Sequence, residues 1–394
     1  MKYFWFGFLI YTLDYTLMIS GITLSNITTV LQVLGFGLML LTAPNIFTLS
    51  NNSAYLRITV TLFLSWSLII LVRGINFKYE FLRELITDGS LGILMYLTPF
   101  FIFLNFKIRN INIISNLIIL LGFSYLILIS ISVMSIINPL NIQGQIILEY
   151  LSRFLIIPVT YIILTYPFQT KKKKVISFIF IIVALAFAII RARRGLIFNL
   201  LLPVIFAYIL NVKNSTKKVK PIIITVILLS LILTVLTKIS IDKNSTLYLL
   251  SERLYQDTRT QVEQYFYDDL TDLEFFIGKG INGKYYCPIG LTPDGKRAVI
   301  ETGYLQIILN GGLIWLILFV LIAVPAIFLG LNKSNNQLSK ASALWVLIFI
   351  LNSYPSTVTS FSLNYVLFWI SISICYDAKI RGFTDAEIKN NIAF

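Results

Sequence analysis

The residues best suited to chemistry in this chain are arginines and one carboxylate that lie beside long apolar stretches. Arg191, Arg193 and Arg194 share a short turn between two apolar runs. A planar guanidinium binds a phosphate through two parallel hydrogen bonds, which a lysine ammonium cannot do. Glu301 opens the stretch ETGYLQIILNGG (301–312), where a carboxylate can accept a proton as a general base. These residue types predict anion binding combined with proton transfer.

Each of these residues also has a simpler interpretation. Arginines next to an apolar run can extend toward lipid headgroups, and a carboxylate at the start of a helix is favoured by the helix dipole. For the arginine turn we favour anion binding, because Gly195 and a new helix follow directly and would add free backbone N–H groups. For Glu301 the general base and the helix-start carboxylate remain equal alternatives.

The chain contains no histidine and two cysteines, Cys287 and Cys375. The commonest general base and the commonest metal ligand are therefore both missing. A polar loop and a late apolar run hold the two cysteines, so the sequence predicts no disulfide framework. No phosphate-binding glycine loop, metal cluster or nucleophile elbow is present either. Chemistry must rest on carboxylates, arginines, lysines, tyrosines and hydroxyls.

The apolar composition places these residues in a membrane. Of 394 residues, 57% are hydrophobic and only 13% are charged, and the apolar runs do not alternate with period two. We predict an all-α polytopic membrane protein whose first apolar run is a retained helix rather than a signal peptide. About twelve transmembrane helices are expected, at 4–20, 23–43, 58–72, 89–104, 112–137, 152–168, 175–190, 195–211, 221–237, 303–330, 341–357 and 362–376. Gly35 and Gly37 interrupt the second of these.

Lysines and arginines separate across the predicted membrane. The densest basic cluster, Lys171–Lys174, assigns its loop to the cytoplasm. Alternation of the spans then puts the other lysine clusters and both termini inside, and puts most arginines outside: Arg73, Arg83, Arg153, Arg191, Arg193, Arg194, Arg253, Arg259 and Arg297. Topology signals do not distinguish the two residue types, whereas phosphate chemistry does. We expect an anion site at the outer surface, and we attribute the net charge of +14 to topology and lipid contacts rather than to nucleic acid.

The predicted spans divide the chain into four parts. Residues 1–237 hold transmembrane helices one to nine, 238–300 form one large extracytoplasmic loop, 301–376 hold helices ten to twelve, and 377–394 form a cytoplasmic tail. Within the loop, residues 247–276 space their apolar side chains as in amphipathic helices lying over the bundle. Residues 278–298 are rich in Gly and Pro and are predicted to be irregular.

Three further charged residues have open roles. Asp14 lies in the first apolar run, where a carboxylate either pairs with an outer arginine or hydrogen-bonds a neighbouring helix. Glu149 and Arg153, spaced i and i+4, are expected to form an ion pair. Arg153 and Arg73 are also secondary candidates for anion binding.

The arrangement resembles the Wzy-type polymerases of O-antigen and capsular repeat units, and more distantly the O-antigen ligases. The residues that carry the resemblance are the arginine–glycine turn (191–195), an external loop with Arg259 and the turn FIGKG (276–280), and the stretch 301–312. The resemblance implies a metal-independent membrane glycosyltransferase with a GT-C-like fold and no cofactor. It also implies a bacterial cytoplasmic membrane location, with the active site outside.

The implied substrates are a polyprenyl-diphosphate-linked glycan donor and a second lipid-linked repeat unit as acceptor, and a chain-length regulator is a further candidate partner. Arginines of this family hold the diphosphate, a role that falls here to Arg191, Arg193, Arg194, Arg259 and Arg153. Catalysis is expected from Glu301, Arg194 and Arg191. Ligases and some polymerases place a histidine where this chain has Glu301, and this departure argues against a ligase.

Other functions remain as alternatives. A flippase for the same lipid-linked sugar would need cationic residues at mid-depth in broken helices, whereas these arginines cluster at one surface. A non-catalytic lipid-sensing scaffold would not explain the preference for arginine over lysine. A polymerase of peptidoglycan strands would use the same chemistry.

Overall fold

A computed structural model describes residues 2–21, 25–47, 53–75, 77–104, 106–138, 141–213, 259–289, 295–356 and 359–393. This part of the chain is nearly all helical. In chain order its α-helices are α1 (Lys2–Ile19), α2 (Ser25–Thr42), α3 (Ala54–Gly74), α4 (Tyr79–Thr87), α5 (Ile93–Leu97), α6 (Asn110–Ile137), α7 (Ile142–Leu151), α8 (Val159–Leu164), α9 (Lys171–Ile190), α10 (Arg194–Lys213), α11 (Thr260–Asp269), α12 (Asp272–Ile277), α13 (Gly303–Asn332), α14 (Gln337–Asn352), α15 (Leu363–Tyr376), α16 (Ala378–Gly382) and α17 (Asp385–Ala393).

Two compact units divide the chain. The first contains residues 1–18, 22–110 and 258–394, and the second contains 19–21 and 111–257. The sequence-based division at 237, 300 and 376 follows the predicted crossings of a membrane rather than packing contacts, and it stays a prediction.

Seven helices of the described chain are long and apolar enough to cross a membrane, and this length and composition are compatible with a membrane protein. Three shorter apolar helices (Ile93–Phe103, Gln337–Asn352 and Leu363–Tyr376) coincide with predicted spans. The predicted span 221–237 lies outside the described residues. The total of twelve crossings therefore stays a prediction.

The predicted helix at 89–104 is replaced by shorter pieces. A turn at 88–92 precedes α5, and a 3-10 helix (Thr98–Phe103) follows it directly. Pro99 lies in the first turn of that 3-10 helix, where its missing N–H and fixed φ are tolerated but would interrupt a continuous α-helix. The eleven apolar residues of Ile93–Phe103 fall short of the roughly 20 needed for a straight crossing.

Gly35 does not interrupt the second helix, because α2 runs unbroken from Ser25 to Thr42. A Cβ atom on Gly35 would stand 2.8 Å from the Gly7 carbonyl oxygen, and one on Gly7 would stand 2.7 Å from the Gly35 carbonyl oxygen. The pair of glycines thus lets α1 and α2 cross backbone to backbone, as small residues do between membrane helices. No atom would lie within 4 Å of a Cβ on Gly37.

The first unit is built around α13, which packs against α3, α12, α14 and α15. Trp315 of α13 stacks between Phe63 and Tyr96, with ring centroids 5.5 Å apart on each side. Its indole nitrogen donates to the Ser67 hydroxyl at 3.2 Å, so the polar edge of the ring is also satisfied. This aromatic core fixes α13, whose first residues form the candidate site.

The second unit packs α8, α9 and α10 against one another. The segment Ile142–Leu164 joins α7 and α8 through a π-helical turn, Ser152–Ile156, and a bend at Pro158. Polar caps begin two of its helices: Asn141 accepts from the backbone of Gly144, and Thr170 accepts from that of Lys173. These caps explain why α7 and α9 begin where they do.

Candidate functional site

The start of α13 is the meeting point of three segments of the first unit. The Gly303 N–H donates to the Ser353 carbonyl at 2.8 Å. A Cβ on Gly303 would stand 2.7 Å from the Ser356 carbonyl oxygen, so glycine allows this contact with the turn after α14. Helix α11 reaches the same place, because Thr302 and Glu263 form a very short hydrogen bond between their side chains. We call this region, residues 259–267, 301–304 and 353–356, the outer mouth, after the membrane side on which the sequence predicts it to lie.

Arg259 and Glu301 lie together in the outer mouth. The Arg259 Nε stands 3.4 Å from the Glu301 carboxylate, and an Arg259 Nη donates to the Pro355 carbonyl at 2.8 Å. The Glu301 side chain is 77% exposed and that of Arg259 is 39% exposed. Exposed pairs of this kind contribute about 0–1 kcal/mol to stability. The pair therefore leaves the carboxylate accessible beside a positive charge.

A buried chain of side-chain amides, further along α13, supports the outer mouth. The Gln306 side chain accepts from the Ile300 N–H at 2.8 Å and donates to the Ala298 carbonyl at 3.2 Å and to Asn310 at 3.3 Å. Asn310 donates onward to the Tyr96 hydroxyl at 3.1 Å. Buried polar groups that all find partners fix one arrangement of the backbone. The residues just before Glu301 are held in place by this chain.

The glycine turn Phe276–Gly280 docks on a break in α13. Gly312 has φ +72° inside the helix, which leaves nearby carbonyls without helical donors. The N–H groups of Lys279 and Gly280 donate to the carbonyls of Leu309 and Asn310 at 2.7 and 2.9 Å. Gly278 has φ +73°, and a Cβ there would stand 2.4 Å from the Asn310 carbonyl oxygen. Glycine is required for this contact on both grounds.

Arg73, a secondary candidate for anion binding, holds this turn. Its guanidinium donates to the Ile277 and Gly278 carbonyls at 2.7 and 2.8 Å. The planar fork that would suit a phosphate is thus used on two backbone carbonyls. Lys279 also ties the turn to α11, since its ammonium lies 2.5 Å from the Asp269 carboxylate.

The rest of the described loop is more regular than predicted. Residues 278–298 contain a short antiparallel pair, Tyr285–Tyr286 with Lys296–Arg297, in place of a wholly irregular segment. Phe266 is buried in a small core with Tyr285, but Leu273 is 67% exposed, so the predicted apolar face is buried only in part. Burial raises the pKa of Tyr285 while Arg297 opposes that rise. Arg253 and the other loop residues before Arg259 lie outside the described chain.

The second unit holds the arginine turn. Arg191 is buried, and its guanidinium donates to the Asn138 and Asn141 carbonyls at 2.6 and 2.8 Å. These carbonyls belong to the connection between α6 and α7. Ala192 follows with φ +51°, an uncommon backbone conformation for a residue with a Cβ. Arg191 therefore joins the end of α9 to that connection.

The other arginines of the turn have different surroundings. Arg193 forms an ion pair with Glu149, the carboxylate that helical spacing predicts beside Arg153. Arg194, at the start of α10, is exposed and has no hydrogen-bond or ion-pair partner within the described part of the chain. Arg153 is partly buried in the π-helical turn, a type of irregularity that often marks functional sites.

Comparison with protein-family models, curated proteins and solved structures gives no significant match to this chain.

The structure thus brings together Arg259 and Glu301 in one unit, and Arg193 and Glu149 in the other. That all of them serve one diphosphate site stays a prediction. Asp14 is buried in α1. Its Oδ2 atom has no hydrogen-bond partner within the described residues, neither an arginine nor a group on a neighbouring helix. Sequence reasoning missed Gln306 and Asn310, although two amides spaced i and i+4 in an apolar run were a usable signal. The Glu263–Thr302 contact had no such signal, because 39 positions separate the two residues.

Proposed function

We propose that this protein joins lipid-linked oligosaccharide repeat units by glycosyl transfer at the outer face of a bacterial cytoplasmic membrane. The observation that carries the proposal is the exposed Glu301 carboxylate beside the Arg259 guanidinium, at the start of the long apolar helix α13. Such a pair offers an acceptor for a proton and a fixed charge for an anion at the place where a membrane helix begins.

In the proposed reaction, Glu301 accepts the proton of an acceptor sugar hydroxyl. The oxygen of that hydroxyl forms a bond to the anomeric carbon of the donor, and the bond from that carbon to the lipid diphosphate breaks. Negative charge then develops on the departing diphosphate, and fixed guanidinium groups stabilise it. Arg259, beside Glu301 in the same unit, is the proposed contact, and a contribution from Arg194 stays a prediction from the sequence. Arg153, in its π-helical turn, is a secondary one.

The surroundings of the arginine turn refine the roles within it. The Arg191 guanidinium is already engaged with two carbonyls, so we propose that Arg191 positions the turn. Arg193 is paired with Glu149 and can contribute to a substrate only by exchanging that partner. Arg194, exposed at the first turn of α10, is the residue of this turn that we expect to touch the diphosphate.

Contacts within the first unit support the alternating topology that places this chemistry outside. The Phe361 N–H donates to the Gly89 carbonyl at 2.6 Å, and both residues belong to turns proposed to be external. At the other end, Asn336 donates to the Ile380 carbonyl at 2.7 Å, and both belong to segments proposed to be cytoplasmic. The two termini are proposed to be cytoplasmic on the same grounds.

The test is polymer length in cells that lack the chromosomal gene and carry a variant copy. We expect Glu301→Gln and Arg194→Lys to leave single repeat units on the cell surface in place of long polymer. Two exposed residues provide matched controls, Glu80→Gln in α4 and Arg57→Lys in α3, and both should retain full polymer length. Full-length polymer from Glu301→Gln and Arg194→Lys would remove these side chains from the chemistry.

A flippase for the same lipid-linked sugar is the second candidate, and the break of α13 at Gly312 is the observation that favours it. However, the nearby Leu309, Asn310 and Gly311 carbonyls already accept from the glycine turn and from Trp66. Loss of a flippase would trap repeat units inside the cell, whereas loss of a polymerase leaves them displayed outside. The location of the single units therefore separates the two functions.

A further inference from the structure

Three tyrosines lie in the three segments that form the outer mouth, and the proposed proton transfer does not use them. Tyr267 lies on α11, Tyr304 in the first turn of α13, and Tyr354 in the turn after α14. Tyr354 is 71% exposed and Tyr267 is 49% exposed. We call these three side chains the tyrosine platform.

Contacts between neighbouring segments hold the rings of the tyrosine platform together. The rings of Tyr304 and Tyr354 are nearly parallel, with an interplanar angle of 11° and centroids 6.5 Å apart. The Gly303–Ser353 backbone hydrogen bond joins the residues directly before them. Tyr304 also lies within electrostatic range of Glu263 and Tyr267. Backbone contacts of the outer mouth therefore set the position of the rings.

The chemistry of the platform suits a sugar ring. An aromatic face is negative, so it attracts the weakly positive C–H groups on one face of a pyranose, while hydroxyls and carboxylates at its edge can bind the sugar hydroxyls. Burial and the neighbouring Glu263 raise the pKa of Tyr267. The alternative role for these tyrosines is to anchor the protein in the membrane interface.

We propose that the tyrosine platform binds a pyranose ring of the acceptor glycan, next to Glu301. The inference that the platform binds a sugar ring depends only on the arrangement of the three tyrosines. The assignment of that sugar to the acceptor rests on the proposed function. An attacking hydroxyl held here would lie beside the carboxylate that is to take its proton.

The test is saturation-transfer NMR on the purified full-length protein in detergent, with maltotriose, cellotriose and chitotriose as soluble probes. We expect saturation of the sugar ring protons by the wild-type protein. Tyr354→Ala should weaken binding roughly tenfold, which is the upper range for one aromatic contact. Tyr354→Phe should retain most of the binding, because the ring face is kept. Tyr79→Ala, at an exposed tyrosine of α4, should leave binding unchanged.

Two results would overturn the inference: no saturation transfer from the wild-type protein to any of the three sugars, or equal binding by Tyr354→Ala. Either result is expected if the tyrosines serve only to anchor the protein in the membrane interface. The readout needs no polymerase activity, so it separates this inference from the proposed function. Glu301→Gln should fail to make polymer, and that result tests the proposed function alone. If Glu301→Gln makes full-length polymer but the platform still binds sugar, only the catalytic proposal fails.

Discussion

Arg191 and Arg194 stand three residues apart in one turn, yet their guanidinium groups have different surroundings. Arg191 is buried between two carbonyls of the α6–α7 connection, and Arg194 is exposed at the start of α10. A buried guanidinium with two backbone acceptors stabilises the fold, whereas an exposed one is available to a ligand. One turn therefore contains a residue suited to each role.

This difference predicts opposite effects of the same substitution. Arg191→Met removes two charge-assisted hydrogen bonds made by a buried guanidinium, so it should lower the free energy of unfolding by about 2–4 kcal/mol. Arg194→Met should change it by less than about 0.5 kcal/mol. Thermal unfolding of the purified variants in detergent measures both. Equal unfolding midpoints for Arg191→Met and the wild type would show that the buried contacts do not hold the turn.

At the scale of elements, the glycine turn and the broken helix α13 form one interlocked unit. The turn supplies donors to carbonyls that the break at Gly312 leaves open, and Arg73 covers the carbonyls of the turn itself. The motif 276–280, which contributes to the resemblance with polysaccharide polymerases, therefore has a structural role in this chain. It holds the described part of the predicted loop, residues 259–289 and 295–300, against the helix that follows Glu301.

Gly278 offers a sharp test of this interlock. Gly278→Ala combines a left-handed backbone, costing about 1–2 kcal/mol, with a contact of 2.4 Å to the Asn310 carbonyl oxygen. We expect a loss of at least about 2 kcal/mol in unfolding free energy and faster proteolysis of residues 259–289. Gly37→Ala is the control, because that Cβ meets open space within a helix and should be neutral or stabilising by up to about 1 kcal/mol. Unchanged proteolysis of Gly278→Ala would contradict the interlock.

For the whole molecule, the separation of lysines from arginines is the feature that gives the proposed reaction its side of the membrane. In the proposed topology, lysine clusters such as Lys171–Lys174 follow the positive-inside trend, whereas most arginines depart from it. Arginine suits phosphate binding through its fork, so this departure is explained if the outer surface holds a diphosphate. The proposed topology is therefore inseparable from the proposed function.

Labelling of single cysteines tests that topology directly. Cys287 and Cys375 are both buried, so they should give little background. A membrane-impermeant maleimide applied to intact spheroplasts should label Arg194→Cys and Glu301→Cys, which are proposed to be external. It should label Lys172→Cys only after lysis. Labelling of Lys172→Cys in intact spheroplasts would invert the orientation and move the arginines to the cytoplasm.

Much of the element-level organisation could be read from the sequence, because apolar runs of about 20 residues form helices wherever no polar or proline interruption occurs. The runs at 112–137, 175–190, 195–211 and 303–330 all lie within helices of the structure. The prediction of one continuous helix at 89–104 was wrong, because Pro99 and the turn at 88–92 limit the helical pieces there to short lengths. Gly35 was misread as an interruption, since composition alone does not show that a neighbouring glycine faces it.

The sequence by itself determined that the chain is helical, apolar and positively charged, because hydropathy and charge are local properties. Only the tertiary structure decided what each charged group touches. It pairs Arg259 with Glu301, 42 positions away in the sequence, and Arg193 with Glu149. Arg73 and Arg191 instead donate hydrogen bonds to backbone carbonyls. The physical reason is that a hydrogen bond depends on distances of about 3 Å between groups, and only the packing of distant helices sets those distances.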